Sequence, residues 1–267
     1  MKKSEQRTDL LSSTTHAAKG RMLVVAHRGS SGSAPENTMA AFEIALQSGA
    51  DIIECDVRLT RDGEVVVFHD RNLDRTTNGN GPVESRTLGE LKRLDAGSWF
   101  SAGFKGEQIP TLGEVLRLLD NRVFLNIELK ADFRQHSRNT LLQKRVLEII
   151  RVSRAERRVF LASFNHRMMY EIKEKHPQFK TAIIYKAVRD LAARPSRLVS
   201  RARADAFVCG RWWLRSRLLD DLHNHHIPLF VYTINKERDV ERMKRRHVYG
   251  VITNHPEMVV RALDRLC

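Results

Sequence analysis

Cysteine is scarce in this sequence. The 267 residues include three, Cys55, Cys209 and Cys267, scattered and odd in number, which excludes a disulfide-stapled scaffold. Long apolar runs are missing as well. The longest uninterrupted ones are a few residues, whereas a membrane-spanning helix needs about 20. Gly (14) and Pro (7) are too few for a collagenous or low-complexity chain. The amino terminus has two lysines in Met1–Lys3, but Ser4–Lys19 is polar and has no apolar core of a secretory signal. Residues 1–20 are therefore expected to form a disordered or loosely attached arm, residues 21–267 a single domain, and the compartment is expected to be the cytoplasm. What is present, 42% hydrophobic and 29% charged residues, suits an ordinary globular core.

Charge is unevenly spread. The formal net charge is +14; residues 1–133 carry 17 Lys/Arg against 19 Asp/Glu, and residues 134–267 carry 29 against 13. A solvated basic face would account for this. So would attraction to nucleic acid, an anionic membrane or phosphorylated small molecules. The basic segments Arg189–Arg203 and Lys236–Arg246 hold few aromatics and no recognised nucleic-acid motif, so nucleic acid is not the expected partner.

Short Val/Ile/Leu/Phe-rich runs alternate with stretches of helical period. Strands are expected at Met22–Ala26, Asp51–Leu59, Val123–Leu129, Val159–Ala162, Thr181–Tyr185, Ala206–Val208, Pro228–Tyr232 and Tyr249–Ile252. Helices are expected at Asn37–Ser48, Leu112–Leu119, Thr140–Val152, His166–Lys175, Val188–Arg201, Arg215–His225, Glu237–Arg246 and Pro256–Leu266. Asn37 and Thr111 are the expected N-caps, and Pro256 suits a first helical turn. Eight such pairs in about 250 residues predict a closed (β/α)8 TIM-type barrel. An open doubly wound sheet would call for a G-x-G-x-x-G turn, and His27–Ser33 lacks that spacing. The Arg61-Asp62-Gly63 turn followed by Glu64–Phe68 reads as a hairpin after the second strand. Residues 71–110, rich in Gly, Thr, Asn and aromatics, then read as a small rim insertion.

Working residues of such barrels lie at the carboxyl ends of the strands. There stand His27 and Arg28, Glu54 and Asp56, His69 and Asp70, and Asn126 to Lys130. Strand alternation puts Glu54, Asp56 and Arg58 on one face and Ile53, Cys55, Val57 and Leu59 on the other. The apolar face suits the helix layer, so the carboxylates face the barrel axis and Cys55 faces away. Glu128 shares its face with Asn126 and Lys130. Neighbouring strands lie about 4.8 Å apart, so Glu54, Asp56 and Glu128 should crowd together. Crowded carboxylates need compensation. Either a hard divalent ion binds, Mg²⁺, Ca²⁺ or Mn²⁺, or Arg28, Arg58 and Lys130 pair with them as salt bridges. His27 and His69 are the acid–base candidates, since both fall at these strand ends. The His223, His225 and His226 group lacks a second ligand pair for zinc. Arg28 and Lys130 supply the fixed cations that a phosphoryl group requires.

Six short motifs in order are similar to the glycerophosphodiester phosphodiesterases. They are His27-Arg28-Gly29, Ala34-Pro35-Glu36-Asn37-Thr38, Ile53-Glu54-Cys55-Asp56-Val57, Thr60-Arg61-Asp62-Gly63, Phe68-His69-Asp70 and Asn126-Ile127-Glu128-Leu129-Lys130. Val231 to Asn235 and Gly250 to Pro256 look like the family's closing strands, and the likeness runs from Leu23 to Glu257. The resemblance implies the barrel already expected and hydrolysis of small-molecule glycerophosphodiesters to glycerol 3-phosphate and an alcohol. It implies Glu54, Asp56 and Glu128 as ligands of Mg²⁺ or Ca²⁺, and His27 and His69 as the catalytic pair. Arg28 and Lys130 would hold the phosphate. Glu36 and Asn37 would complete the substrate-binding rim near His27, Asn37 also capping a helix. Two departures stand out: Tyr232 where the family commonly has Trp, and Asn254 where it commonly has Asp. Neither is expected to touch the seven central residues, so both bear on headgroup choice, as does Phe164 if it is more than a core residue. The alternative activity is lysophospholipase D-like hydrolysis at an anionic membrane, which the basic second half would favour.

Overall fold

A computed structural model describes residues 21–132, 135–186, 190 and 192–266; the expected arm, residues 1–20, lies outside them. Nine strands form one sheet: β1 (Leu23–Ala26), β2 (Ile52–Leu59), β3 (Val65–Val67), β4 (Phe124–Leu129), β5 (Val159–Ser163), β6 (Lys180–Ile184), β7 (Ala206–Gly210), β8 (Leu229–Tyr232) and β9 (Gly250–Thr253). The neighbour order is β1-β9-β8-β7-β6-β5-β4-β2-β3, and β1 also pairs with β2. That last pairing closes eight parallel strands into a barrel. Only β3 is antiparallel, paired with β2 at Val57–Leu59 as the hairpin after the Arg61-Asp62-Gly63 turn.

Helices cover the outside: α1 (Met39–Gln47), α2 (Leu88–Leu91), α3 (Leu112–Leu119), α4 (His136–Val152), α5 (His166–Lys175), α6 (Pro195–Ala202), α7 (Ser216–Asn224), α8 (Glu237–Arg245) and α9 (Pro256–Asp264). In α3, Leu112, Val115, Leu116 and Leu119 are buried, the spacing of one apolar stripe. Its start is a capping box, with Thr111 and Glu114 satisfying each other's backbone N–H groups. Pro256 stands in the first turn of α9 as expected.

Two local expectations are corrected. Asn37 is not the cap of α1. Thr38 is, its hydroxyl accepting from the Ala41 N–H at 3.3 Å. Asn37 instead adopts φ of +60°, a left-handed conformation that asparagine tolerates, and its amide points to Asp56. The single helix expected over Val188–Arg201 also does not form as such. Val188, Arg189 and Leu191 lie outside the described residues; Ala192 and Ala193 lie in a non-helical turn and α6 begins at Pro195. Proline lacks an N–H and drives the residue before it out of the helical region, and Arg194 is accordingly extended (ψ 138°).

Two apolar layers separate cleanly. Ile53, Cys55, Val57 and Leu59 pack outward with Leu125, Ile127 and Leu129 under the helices. Inside the barrel Phe124, Phe160 and Phe230 alternate with the small Ala162, Ala182 and Ala206. Gly250 is required there, because a Cβ would stand 2.6 Å from the Phe230 ring. The insertion after β3 has its own small core of Val66, Phe68, Leu73, Val83, Leu91, Ala96 and Ile109. None of the described helices is long and apolar enough to cross a membrane.

Candidate active site

β2 and β4 run in register with Glu54 beside Asn126 and Asp56 beside Glu128. Parallel pairing on one inward face therefore delivers three carboxylates to one place. Their ligand oxygens lie within 4.8 Å of one another, the one such group of three metal-ligand side chains among the described residues. Glu54 and Asp56 are buried. Burial and then the charges of Asp56 and Glu128 push Glu54 well above the usual carboxylate range. Burial also raises Glu128, only partly opposed by Lys130. Asp56 goes the other way. Burial would raise it, but Lys130, Arg28 and His69 together hold it far below its ordinary value.

The cations are divided unequally. The Lys130 ammonium contacts Glu128 and lies 2.8 Å from Asp56 Oδ1. Arg28 places Nε 3.3 Å from Asp56 Oδ2 and donates through Nη1 to Glu36 at 2.7 Å. Its backbone N–H donates to Glu54 at 2.8 Å, a geometry set by the positive φ of Arg28 (57°) and of Gly29 (78°). Gly29 has no substitute here, since a Cβ would meet the Ala41 backbone at 2.6 Å. Arg58 shares the inward face yet pairs with none of the three carboxylates. Its Nε and Nη2 donate to the His69 carbonyl at 2.9 and 2.7 Å. Three carboxylates thus face two fixed cations. A dication and a phosphodiester monoanion would bring the whole group near neutrality, and the buried Asn126 Oδ1 beside them has no donor. An all-oxygen set of this kind fits a hard divalent ion.

His27 and His69 converge on the same cavity of about 200 Å³. The His27 Nδ1 lies 2.7 Å from Asn254 Oδ1, and the His69 Nδ1 lies 2.6 Å from Asp70 Oδ1. Acceptor oxygens on both Nδ1 atoms select the Nδ1–H tautomer, leaving each Nε2 for proton transfer. Burial, helped by Arg28, lowers His27 to about 4. Burial also lowers His69, against the pull of Asp56. Asp70 stays ionised at about 2, because Arg75 and His69 outweigh its burial.

The cavity also exposes Arg28, Glu54, Glu128 and Lys130, and its apolar wall includes Phe164, Ile184, Val208 and Tyr232. Phe164 is therefore a wall residue. Glu36 and Asn37 do not line it. Glu36 is held by Arg28 and Arg75, and Asn37 is held by Asp56, donating at 2.9 Å to Oδ2 and accepting from the Asp56 N–H at 3.3 Å. The expectation that Asn254 stays clear of the central residues is corrected, since it is the partner of His27. Asp70 and Arg75 carry no role in the sequence reading, and Asn254 enters it only through headgroup choice, not as a partner of His27. Asp70 had a signal in standing next to His69; the other two meet the site only through the folded loops. The His223 and His225 rings go to backbone carbonyls of His247 and Asp221.

The family model of the glycerophosphoryl diester phosphodiesterases matches residues 27–258. A glycerophosphodiester phosphodiesterase of Caldanaerobacter subterraneus subsp. tengcongensis is 38% identical over 241 residues, covering 90% of this chain and 97% of its own. One from Bacillus subtilis is 31% identical over 250 residues, covering 89% and 85%. Among solved structures, a phosphodiesterase of Oleispira antarctica in complex with the product sn-glycerol-3-phosphate superposes with a TM-score of 0.82 at 28% identity, covering 93% of this chain and 99% of that one. By motif order, barrel and sequence match alike, the chain belongs to the glycerophosphoryl diester phosphodiesterase family.

Proposed function

We propose that this protein hydrolyses glycerophosphodiesters to glycerol 3-phosphate and an alcohol, with a divalent cation held by Glu54, Asp56 and Glu128. The observation that carries the reading is the cluster of these three carboxylates, two of which, Glu54 and Glu128, line one cavity with His27 and His69. The Oleispira relative's glycerol 3-phosphate complex supports the same substrate class. When bound, the ion, Mg²⁺, Ca²⁺ or Mn²⁺, supplies Lewis-acid neutralisation of phosphate oxygens. Arg28 and Lys130 hold the remaining phosphate charge from either side of Asp56. One imidazole Nε2 takes the proton of the attacking hydroxyl, and the other gives a proton to the leaving oxygen. Glu36 and Asn37 serve the substrate by fixing Arg28 and Asp56. The attacking hydroxyl belongs either to water or to the substrate's own glycerol 2-position; a cyclic phosphate seen in early time points marks the second route.

Glycerol 3-phosphate release from glycerophosphocholine tests the reading, with EDTA-treated protein and each metal added back. Metal-restored release is expected. Release that ignores chelation overturns the metal role, and no release with any metal overturns the substrate. The relatives' names favour deacylated diesters over the lysophospholipid alternative. A cytoplasmic site of action belongs to the same reading, in keeping with the free, buried Cys55 and Cys209. So does peripheral contact of the basic second half with anionic membranes, which salt-sensitive vesicle binding checks.

A further inference from the structure

The rim insertion sends one side chain back to the site. Arg75 donates from Nη1 and Nη2 to the two oxygens of Glu36, at 2.9 and 2.6 Å, and from Nε to Asp70 Oδ2 at 2.6 Å. Each acceptor already serves a residue of the site. Glu36 Oε1 also receives Arg28 Nη1, and the other oxygen of Asp70 faces His69 Nδ1. The result is one unbroken chain, Arg28–Glu36–Arg75–Asp70–His69. It links the loop after β1 to the loop after β3. A lone exposed ion pair is worth little, but a bidentate guanidinium within a network is the exception. Only a planar fork can satisfy both carboxylates at once. Arg71, next to Asp70 in the chain, makes a contrast: its side chain pairs with Glu84 at 3.1 Å and not with Glu36 or Asp70. The backbone on either side of Arg75 is anchored by the buried Leu73 and Thr76.

We propose that Arg75 is a positioning residue. It holds the His69 ring, through Asp70, in register with the Arg28 guanidinium, held through Glu36. The rim insertion is thereby part of the reaction apparatus and not only a cover for β3. This rests on the roles given above to His69 and Arg28. A misplacement of about 1 Å in such a pair costs on the order of a hundredfold in rate.

The test compares glycerophosphocholine hydrolysis by the wild type, Arg75→Ala, Arg71→Ala, Glu36→Gln and the double variant Glu36→Gln/Arg75→Ala. Arg75→Ala should lower kcat by about a hundredfold, while Arg71→Ala keeps the wild-type rate. The double variant should lose less than the product of the two single losses, because both changes cut the same chain. Millimolar guanidinium should restore part of the Arg75→Ala rate, a rescue that a fold defect would not show. A wild-type kcat in Arg75→Ala, additive losses, or no rescue overturns the proposal. A readout free of turnover separates this failure from failure of the substrate reading. In ¹⁵N-histidine-labelled protein, the His69 Nδ1–H proton, assigned with His69→Ala, should shift in Arg75→Ala and stay in Arg71→Ala. An unmoved signal overturns the positioning role even if the wild type hydrolyses nothing.

Discussion

Lys130→Met separates the electrostatic from the catalytic work of the site. In the wild type the ammonium contacts Glu128 and lies 2.8 Å from Asp56, with both carboxylates largely out of solvent. Removing one partner of a buried ion pair costs about 3–5 kcal/mol, because the other charge is left uncompensated. Protonation of Glu54 and Glu128, both already raised, relieves part of this, so the lower end, about 3 kcal/mol, is the working figure. For a domain of this size each kcal/mol moves Tm by about 2–4 °C, giving a fall of about 6–12 °C in EDTA near neutral pH. The lowered value of Asp56 contributes stability that is fully present above the ordinary carboxylate range, so it does not change between about pH 8 and about pH 5. The sign with pH follows from Glu54 and Glu128, which burial raises and Lys130 partly holds down. Without Lys130 they rise further, and protonation relieves their ionised-state penalty as pH falls, so the gap between variant and wild type is wider at about pH 8 than at about pH 5. A divalent cation replaces the missing charge and should also narrow the gap. Activity should not return with it, since the phosphate has lost a contact. Thermal melts in EDTA and in Mg²⁺ or Ca²⁺, at both pH values, read this directly. A gap unaffected by metal and pH, or no gap, refutes the reasoning.

His27→Ala and His69→Ala should each lower kcat by about a hundredfold or more with Tm little changed; a near-normal rate in either removes the two-histidine scheme. Cys55 should resist thiol reagents in the folded protein, because burial and then the neighbouring carboxylates hold its thiol well above the usual range; rapid labelling in native buffer contradicts the outward register of β2. Gly250→Ala should destabilise by about 1–3 kcal/mol by forcing Phe230 aside; an unchanged denaturation midpoint would mean that the barrel interior has room to spare.

What the sequence determined by itself is everything that depends on short-range period and local turn chemistry. Alternation along Ile52–Leu59 and Asn126–Lys130 is enough to separate Glu54, Asp56 and Glu128 from Cys55 and Ile127, because adjacent side chains on a strand take opposite faces. The Thr111 cap, the Arg61–Gly63 hairpin and the eightfold alternation are local in the same way. What only the tertiary structure decided is who meets whom across long stretches of chain. Asn254 reaches His27 over 227 positions because β9 closes against β1. Arg75 reaches Glu36 over 39 because the insertion folds back over the loop after β1. The choice between Asn37 and Thr38 as cap was settled by the buried Asp56, which claims the asparagine amide. Arg58 looked like a counter-ion by its face and became a support for His69, because the hairpin puts a carbonyl within its reach. Periodicity fixes a side chain's direction, whereas its partner depends on barrel closure, which no local window contains.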